Sequence, residues 1–100
     1  MISREDFVFT IGYDGATAIV DGRAKKEYGK LGTMALAGKG LYRAAFASAL
    51  RALADGADAD MKAFIAFFNE KAGTAYTTAE ELSRLFGVSI ETVSRVLVLG

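Results

Sequence analysis

Residues 6–21 constrain the fold more than any other stretch. Phe7, Phe9, Ile11 and Tyr13 alternate with Val8, Thr10 and Gly12, and Asp14-Gly15 follows. A period of two is the mark of a strand with one buried face. Asp-Gly is the two-residue signal for a type I′ turn, in which both central residues take positive φ. The stretch therefore reads as a β-hairpin. Pairing Tyr13 with Ala16 sets Ile11 opposite Ala18 and Phe9 opposite Val20. That register gathers Phe7, Phe9, Ile11, Tyr13, Ala18 and Val20 on one face. Thr10, Gly12, Thr17 and Asp21 take the other face, with Val8 and Ile19. A lone hairpin is marginal in water, so this one must pack on helices or gain a third strand.

Beyond residue 40 the apolar spacing becomes helical. Leu41, Tyr42, Ala45, Phe46, Ala49, Leu50 and Leu53 form one stripe, which predicts a helix over 41–54 with Gly56 just past its end. Asp58 or Asp60 caps a second helix to about Ala72, with Met61, Phe64, Ile65 and Phe68 inward and Gly73 as its stop. Phe67 falls off that stripe. Between hairpin and helices, Gly22, Gly29, Gly32, Gly38 and Gly40 break up any pattern, so 22–40 reads as an ordered connection without assigned elements. The chain has 100 residues, 52% of them apolar, enough to bury one core.

Tyr76 to Leu97 reads as two short helices about a corner. Thr77 with Glu80, or Thr78 with Glu81, fits a capping box. Leu82, Leu85 and Phe86 face inward, Gly87 supplies the turn, and Val88 fills the angle. Ser89 caps the last helix, whose inner face is Val93, Val96 and Leu97. The expected fold is thus α+β: one domain over 1–100, an N-terminal hairpin packed on about four helices, the last two a helix-turn-helix. Its core is expected to contain Phe9, Ile11, Phe46, Leu50, Leu53, Phe64, Ile65, Phe68, Leu82, Leu85, Val93 and Val96.

The residues Thr77, Glu81, Leu82, Phe86-Gly87-Val88-Ser89 and Thr92-Val93-Ser94-Arg95-Val96 resemble the helix-turn-helix of the lactose-repressor family and related bacterial regulators. In that family the second helix enters the major groove. The resemblance implies that Ile90 and Glu91 face bases and that Arg95 reaches a base or a phosphate. It also implies that Ser89, Thr92 and Ser94 bond phosphates. The family carries this motif at its N-terminus, before a third helix. Here it comes late, so a third helix must be the one over 58–72.

Composition narrows the chemistry. Cys and His are absent, which removes disulfides, thiolate nucleophiles, the commonest metal ligand and the commonest general base. No acid–base or nucleophile–base set is discernible, so the expectation is no enzyme, no catalytic residue, no cofactor and no metal site. No apolar run approaches the roughly 18 residues that span a bilayer. The first residues turn acidic where a signal peptide turns apolar, which makes a cytoplasmic location the expectation. Formal net charge is zero, with 12 basic and 12 acidic residues. Residues 23–51 are basic and 76–100 are not, so the cationic surplus lies outside the reading segment.

Two weaker motifs have plainer explanations. Ala37-Gly38-Lys39-Gly40-Leu41 before a helix lacks the spacing and hydroxyl of a phosphate loop. Asp55, Asp58 and Asp60 lack the closing Glu of a calcium loop, and helix capping accounts for them. The functional expectation is a small DNA-binding, transcription-regulating protein that takes double-stranded DNA, as a homodimer across two half-sites. The alternative is a protein–protein interaction module of a bacterial cytosolic protein. It would use the same helix pair or the hairpin edge, with Phe67 or the apolar tail Val98-Leu99-Gly100 as further contacts and no DNA binding.

Overall fold

The computed structural model describes residues 2–90 and 93–100. Its elements in order are α1 (Arg4–Val8), β1 (Thr10–Asp14), β2 (Thr17–Asp21), α2 (Gly22–Tyr28), α3 (Thr33–Gly38), α4 (Tyr42–Ala54), α5 (Ala59–Ala72), α6 (Ala79–Phe86) and β3 (Arg95–Leu99). The fold is α+β. Contacts group the chain into two compact units, Met1–Leu31 with Glu91–Gly100, and Gly32–Ile90. No helix among the described residues is long and apolar enough to cross a membrane.

The first unit is built on the expected hairpin, in a different register. Asp14 pairs with Thr17 and Tyr13 with Ala18, so the central turn residues are Gly15 and Ala16. Gly15 has φ 59°, and no described non-glycine residue has positive φ. The turn is therefore of the II′ kind, with glycine at its first central position, and not I′. The register shifts between Thr10 and Gly12, which makes Ile11 a bulge residue, 58% exposed, and not a core residue.

Phe7 to Phe9 do not extend the strand. Ser3 accepts the Asp6 N–H, and Glu5 and Asp6 lie in the positive first turn, so residues 4–8 wind into α1. Phe7, Val8 and Phe9 are all buried, which is a helix end packed on a sheet and not an alternation. The Phe9 carbonyl still accepts the Asp21 N–H at 2.9 Å. Arg4 donates to the carbonyls of Gly29 and Leu31 at 3.1 and 2.7 Å, and Lys25 pairs with Asp6 at 2.7 Å. These bonds tie α1 to α2.

The third strand comes from the far end of the sequence. β3 lies parallel to β2, with Thr17 beside Arg95, Ile19 beside Leu97 and Asp21 beside Leu99, giving a sheet ordered β1-β2-β3. This corrects the last helix expected there, since its residues 95–97 are strand. Five consecutive residues, Arg-Val-Leu-Val-Leu, suit a strand at least as well as a helix. Val loses side-chain freedom in a helix and packs well on a pleated neighbour, so the available edge of β2 decides the outcome. Val96, expected in the core, is exposed as a result.

The second unit packs α3, α4, α5 and α6 around aromatic rings. Ala45, Ala47 and Ala49 are buried on α4, and Leu36 and Ala37 on α3, so the helices approach closely. Phe46 stacks on Phe86 at 5.4 Å, and Phe64 stacks on Phe68 at 5.8 Å. Leu82 is fully buried and Phe86 half-buried, whereas Leu85, expected inward, is 50% exposed. Leu50, Leu53 and Ile65 are half-buried rather than core. Gly73 and Gly87 end α5 and α6 in the left-handed conformation, as their positions led us to expect.

A polar trio sits within this unit. Thr33 Oγ1 lies 2.9 Å from both Ser48 Oγ and Asp60 Oδ2, with Thr33 and Ser48 buried. A hydroxyl has one proton, which Thr33 shares between Ser48 Oγ and the Asp60 carboxylate. Asp60 thus bridges α5 to α3 and does not cap by its side chain.

Candidate interaction edge

The outer side of β3 is an unpaired strand edge among the described residues. Parallel pairing places Val96 and Val98 on the same face as the buried Ala18 and Val20. Arg95, Leu97 and Leu99 share the other face with Thr17, Ile19 and Asp21. The four apolar side chains are nevertheless exposed: Val96 by 38%, Leu97 by 51%, Val98 by 49% and Leu99 by 46%. Arg95 is exposed as well and is the only charge in the strand.

Backbone direction fixes what the edge offers. The Arg95 and Ser94 N–H groups share the Ala16 carbonyl, at 3.3 and 2.9 Å. Backbone groups alternate along a strand, so Arg95, Leu97 and Leu99 bond toward β2 while Val96 and Val98 present N–H and C=O outward. Gly22 opens the way for this docking. A Cβ built on it lies 2.6 Å from the Leu99 carbonyl oxygen and 2.7 Å from Val98 Cγ1. Edge strands are usually guarded by Lys, Pro, a bulge or shortness. β3 has neither Lys nor Pro, and its register with β2 is regular over five residues.

The residues expected to read DNA are distributed otherwise. Thr78 and Glu81 form the capping box of α6, Gly87 turns the chain with φ 66°, and Val88 is buried with its N–H on the Ser83 carbonyl. Ser89 and Ile90 follow, exposed and without regular structure, at the end of the second unit. Glu91 and Thr92 lie outside the described residues. Ser94 and Arg95 belong to the first unit, where Arg95 opens β3. The described members of the set therefore do not share one helix. The strand edge that sequence reasoning missed had a signal in the run Val96-Leu97-Val98-Leu99, which the helical spacing of Val93, Val96 and Leu97 obscured.

The cap of α6 also lowers the pKa of one carboxyl. Glu81 Oε1 accepts the Thr77 N–H at 3.0 Å, the Thr77 hydroxyl at 3.1 Å, the Thr78 N–H at 3.1 Å and the Thr78 hydroxyl at 3.2 Å. These bonds, the Thr77 N–H first, hold the Glu81 carboxyl below the usual carboxylate range. It serves the capping box of α6.

The remaining motifs resolve as packing. The amides of Lys39, Gly40 and Leu41 donate to the carbonyls of Leu36 and Ala37, so this loop closes α3 and presents no phosphate cradle. Asp58 pairs with Lys62 at 3.0 Å, and Asp60 is engaged by Thr33. No three acidic side chains among the described residues come together as a metal-holding group. Of the basic stretch, Lys25 pairs with Asp6, and Arg43 donates to the Phe86 carbonyl at 3.3 Å. Compared with protein-family models, curated proteins and solved structures, the chain matches none.

Proposed function

We propose that this chain is a protein-interaction module that takes an extended segment along the open edge of β3. The supporting observation is the edge itself: five regular residues, four of them apolar and exposed, with two pairs of backbone groups turned outward. Strand addition draws affinity from main-chain bonds and specificity from alternate side chains. A fitting segment is extended, apolar at every second residue and free of Pro at the bonding positions.

Selection from a displayed library of random heptapeptides tests this. Enriched peptides are expected to alternate apolar residues and to slow exchange of the Val96 and Val98 amides. Val96→Pro removes an outward donor at an edge position where Pro is tolerated, and it is expected to abolish that binding. Binding that survives Val96→Pro would sink the proposal.

The DNA-reading alternative draws support from the capped α6, the Gly87 corner and the exposure of Ile90 and Arg95. It lacks a second helix over Arg95–Leu99, which is where the resemblance put its reading surface. Nonspecific duplex DNA at low salt decides it, since phosphate contacts give a steep salt dependence. Salt-sensitive binding weakened by Arg95→Ala would move the function to DNA.

A further inference from the structure

We infer that the occupant of the β3 edge is a second copy of the same chain, paired antiparallel through β3 about a two-fold axis at Leu97. This rests on the strand-addition reading and names its partner. The argument is self-complementarity. An antiparallel pair centred on Leu97 sets Leu97 opposite the partner's Leu97, Val96 opposite the partner's Val98, and Arg95 opposite the partner's Leu99. Val96 and Val98 are the residues whose backbone groups face outward, and in this register they oppose each other. Each such pair exchanges two hydrogen bonds, so four outward donors meet four outward acceptors with none left over. A register moved by one residue would break that match.

Charge complements the same register. Arg95 shares a face with Asp21, and Asp21 lies beside Leu99 in the β2–β3 ladder. Across the two-fold, Arg95 therefore lies beyond the partner's Leu99 from the partner's Asp21, about two strand spacings or roughly 10 Å between Cα atoms. An extended arginine and an aspartate together cover that span. Asp21 Oδ1 accepts the Ala24 N–H at 3.1 Å, which leaves Oδ2 to meet the guanidinium. Each Arg95 thus reaches across one apolar row to an acidic residue, twice by symmetry. The product is a continuous sheet of six strands in which the two β3 edges cover each other. A single strand pair buries well under the ~800 Å² per partner of a standard interface, so the association is weak.

Sedimentation equilibrium of the full chain over a concentration series, with amide exchange, tests the inference. A monomer–dimer equilibrium is expected, with Val96 and Val98 amides gaining protection as concentration rises. Leu97→Lys sets like charges face to face on the axis and is expected to weaken dimerisation by about tenfold or more. Arg95→Glu, at an exposed position, is expected to weaken it several-fold, and added salt should shrink that difference. Retained protection of the Leu97 and Leu99 amides shows that each variant is folded. A chain that stays monomeric at millimolar concentration overturns the inference. The strand-addition reading then survives where a selected heptapeptide protects Val96 and Val98, and falls with it where none does. A dimer indifferent to both substitutions uses another surface, and that also overturns the inference.

Discussion

Gly22→Ala tests whether Arg95–Leu99 is held as a strand against β2. The new Cβ would sit 2.6 Å from the Leu99 carbonyl oxygen and 2.7 Å from Val98 Cγ1. The Val98 methyl can rotate away, but the Leu99 carbonyl is backbone and cannot. Comfortable C···O separations begin at about 3.3 Å, so the end of β3 must retreat by several tenths of an ångström. Overpacking of this kind costs about 1–3 kcal/mol. An opposing gain exists, because alanine is better than glycine within a helix by roughly 0.5–1 kcal/mol. Gly22 is the first residue of α2, where that gain is smallest. The steric term wins, and the net destabilisation is about 1–2 kcal/mol, a factor of about 5–30 in an opening equilibrium.

The assay is amide exchange resolved by residue. Leu97 and Leu99 amides bond β2 and should exchange faster in the variant by that factor. Amides of Phe64 and Leu82, in the other unit, should be unchanged. Unchanged or slower exchange at Leu99 would refute the reasoning. It would also revive a helical 89–97, because Gly22→Ala would then be neutral or mildly stabilising.

Thr78→Ala removes the hydroxyl that accepts the Glu81 N–H at 3.3 Å, and thermal melts should show a loss of about 1 kcal/mol, typical of an N-cap. Leu82→Ala empties the one fully buried position of α6 and should cost about 2–5 kcal/mol by denaturant titration, whereas Leu85→Ala, half exposed, should cost far less. Thr33→Val removes the hydroxyl that joins Ser48 to Asp60 and should cost about 0.5–1.5 kcal/mol in thermal melts, the net worth of a hydrogen bond; a neutral result would show that water replaces the hydroxyl. Glu81 has a folded pKa below its unfolded one, so its contribution to stability is complete above the ordinary carboxylate range. That contribution fades as pH falls toward the depressed value, and Glu81→Gln should flatten this part of the stability–pH curve.

The legible parts of the sequence were those governed by local chemistry. The capping box at Thr78 and Glu81, the stops at Gly73 and Gly87 and the stripe through Phe46 each involve residues within a turn or two of one another. The register of the hairpin was less legible, because Asp14-Gly15-Ala16 supports either of two turns and the bulge at Ile11 follows a strand that starts only at Thr10, after residues 4–8 have wound into α1. The strand at 95–99 was ambiguous in the sequence. Its five residues carry no preference strong enough to oppose a helix, and what decides them is an edge of β2 far away in sequence. The set Ser89, Ile90, Glu91, Thr92, Ser94 and Arg95 was gathered by a helical spacing that its described members do not adopt. A strand's exposed apolar run and a helix's inner face draw on the same residue types, and Val96 and Leu97 serve as an example of both.

The parallel pairing of β2 with β3 has a consequence for the order of folding. Thr17 and Arg95 are about 80 residues apart, and closing so long a flexible loop is entropically costly. Contacts within Gly32–Ile90 are largely between neighbouring helices and can form early. Once they have formed, the intervening chain is no longer a flexible loop, and β3 closes a ladder whose other strand has been waiting with its edge open. The late step is also the vulnerable one. A nascent or partly folded chain displays the bare edge of β2, so the same docking that completes the sheet within one molecule can join two, and β3 exchanged between molecules is the misfolding route this topology invites.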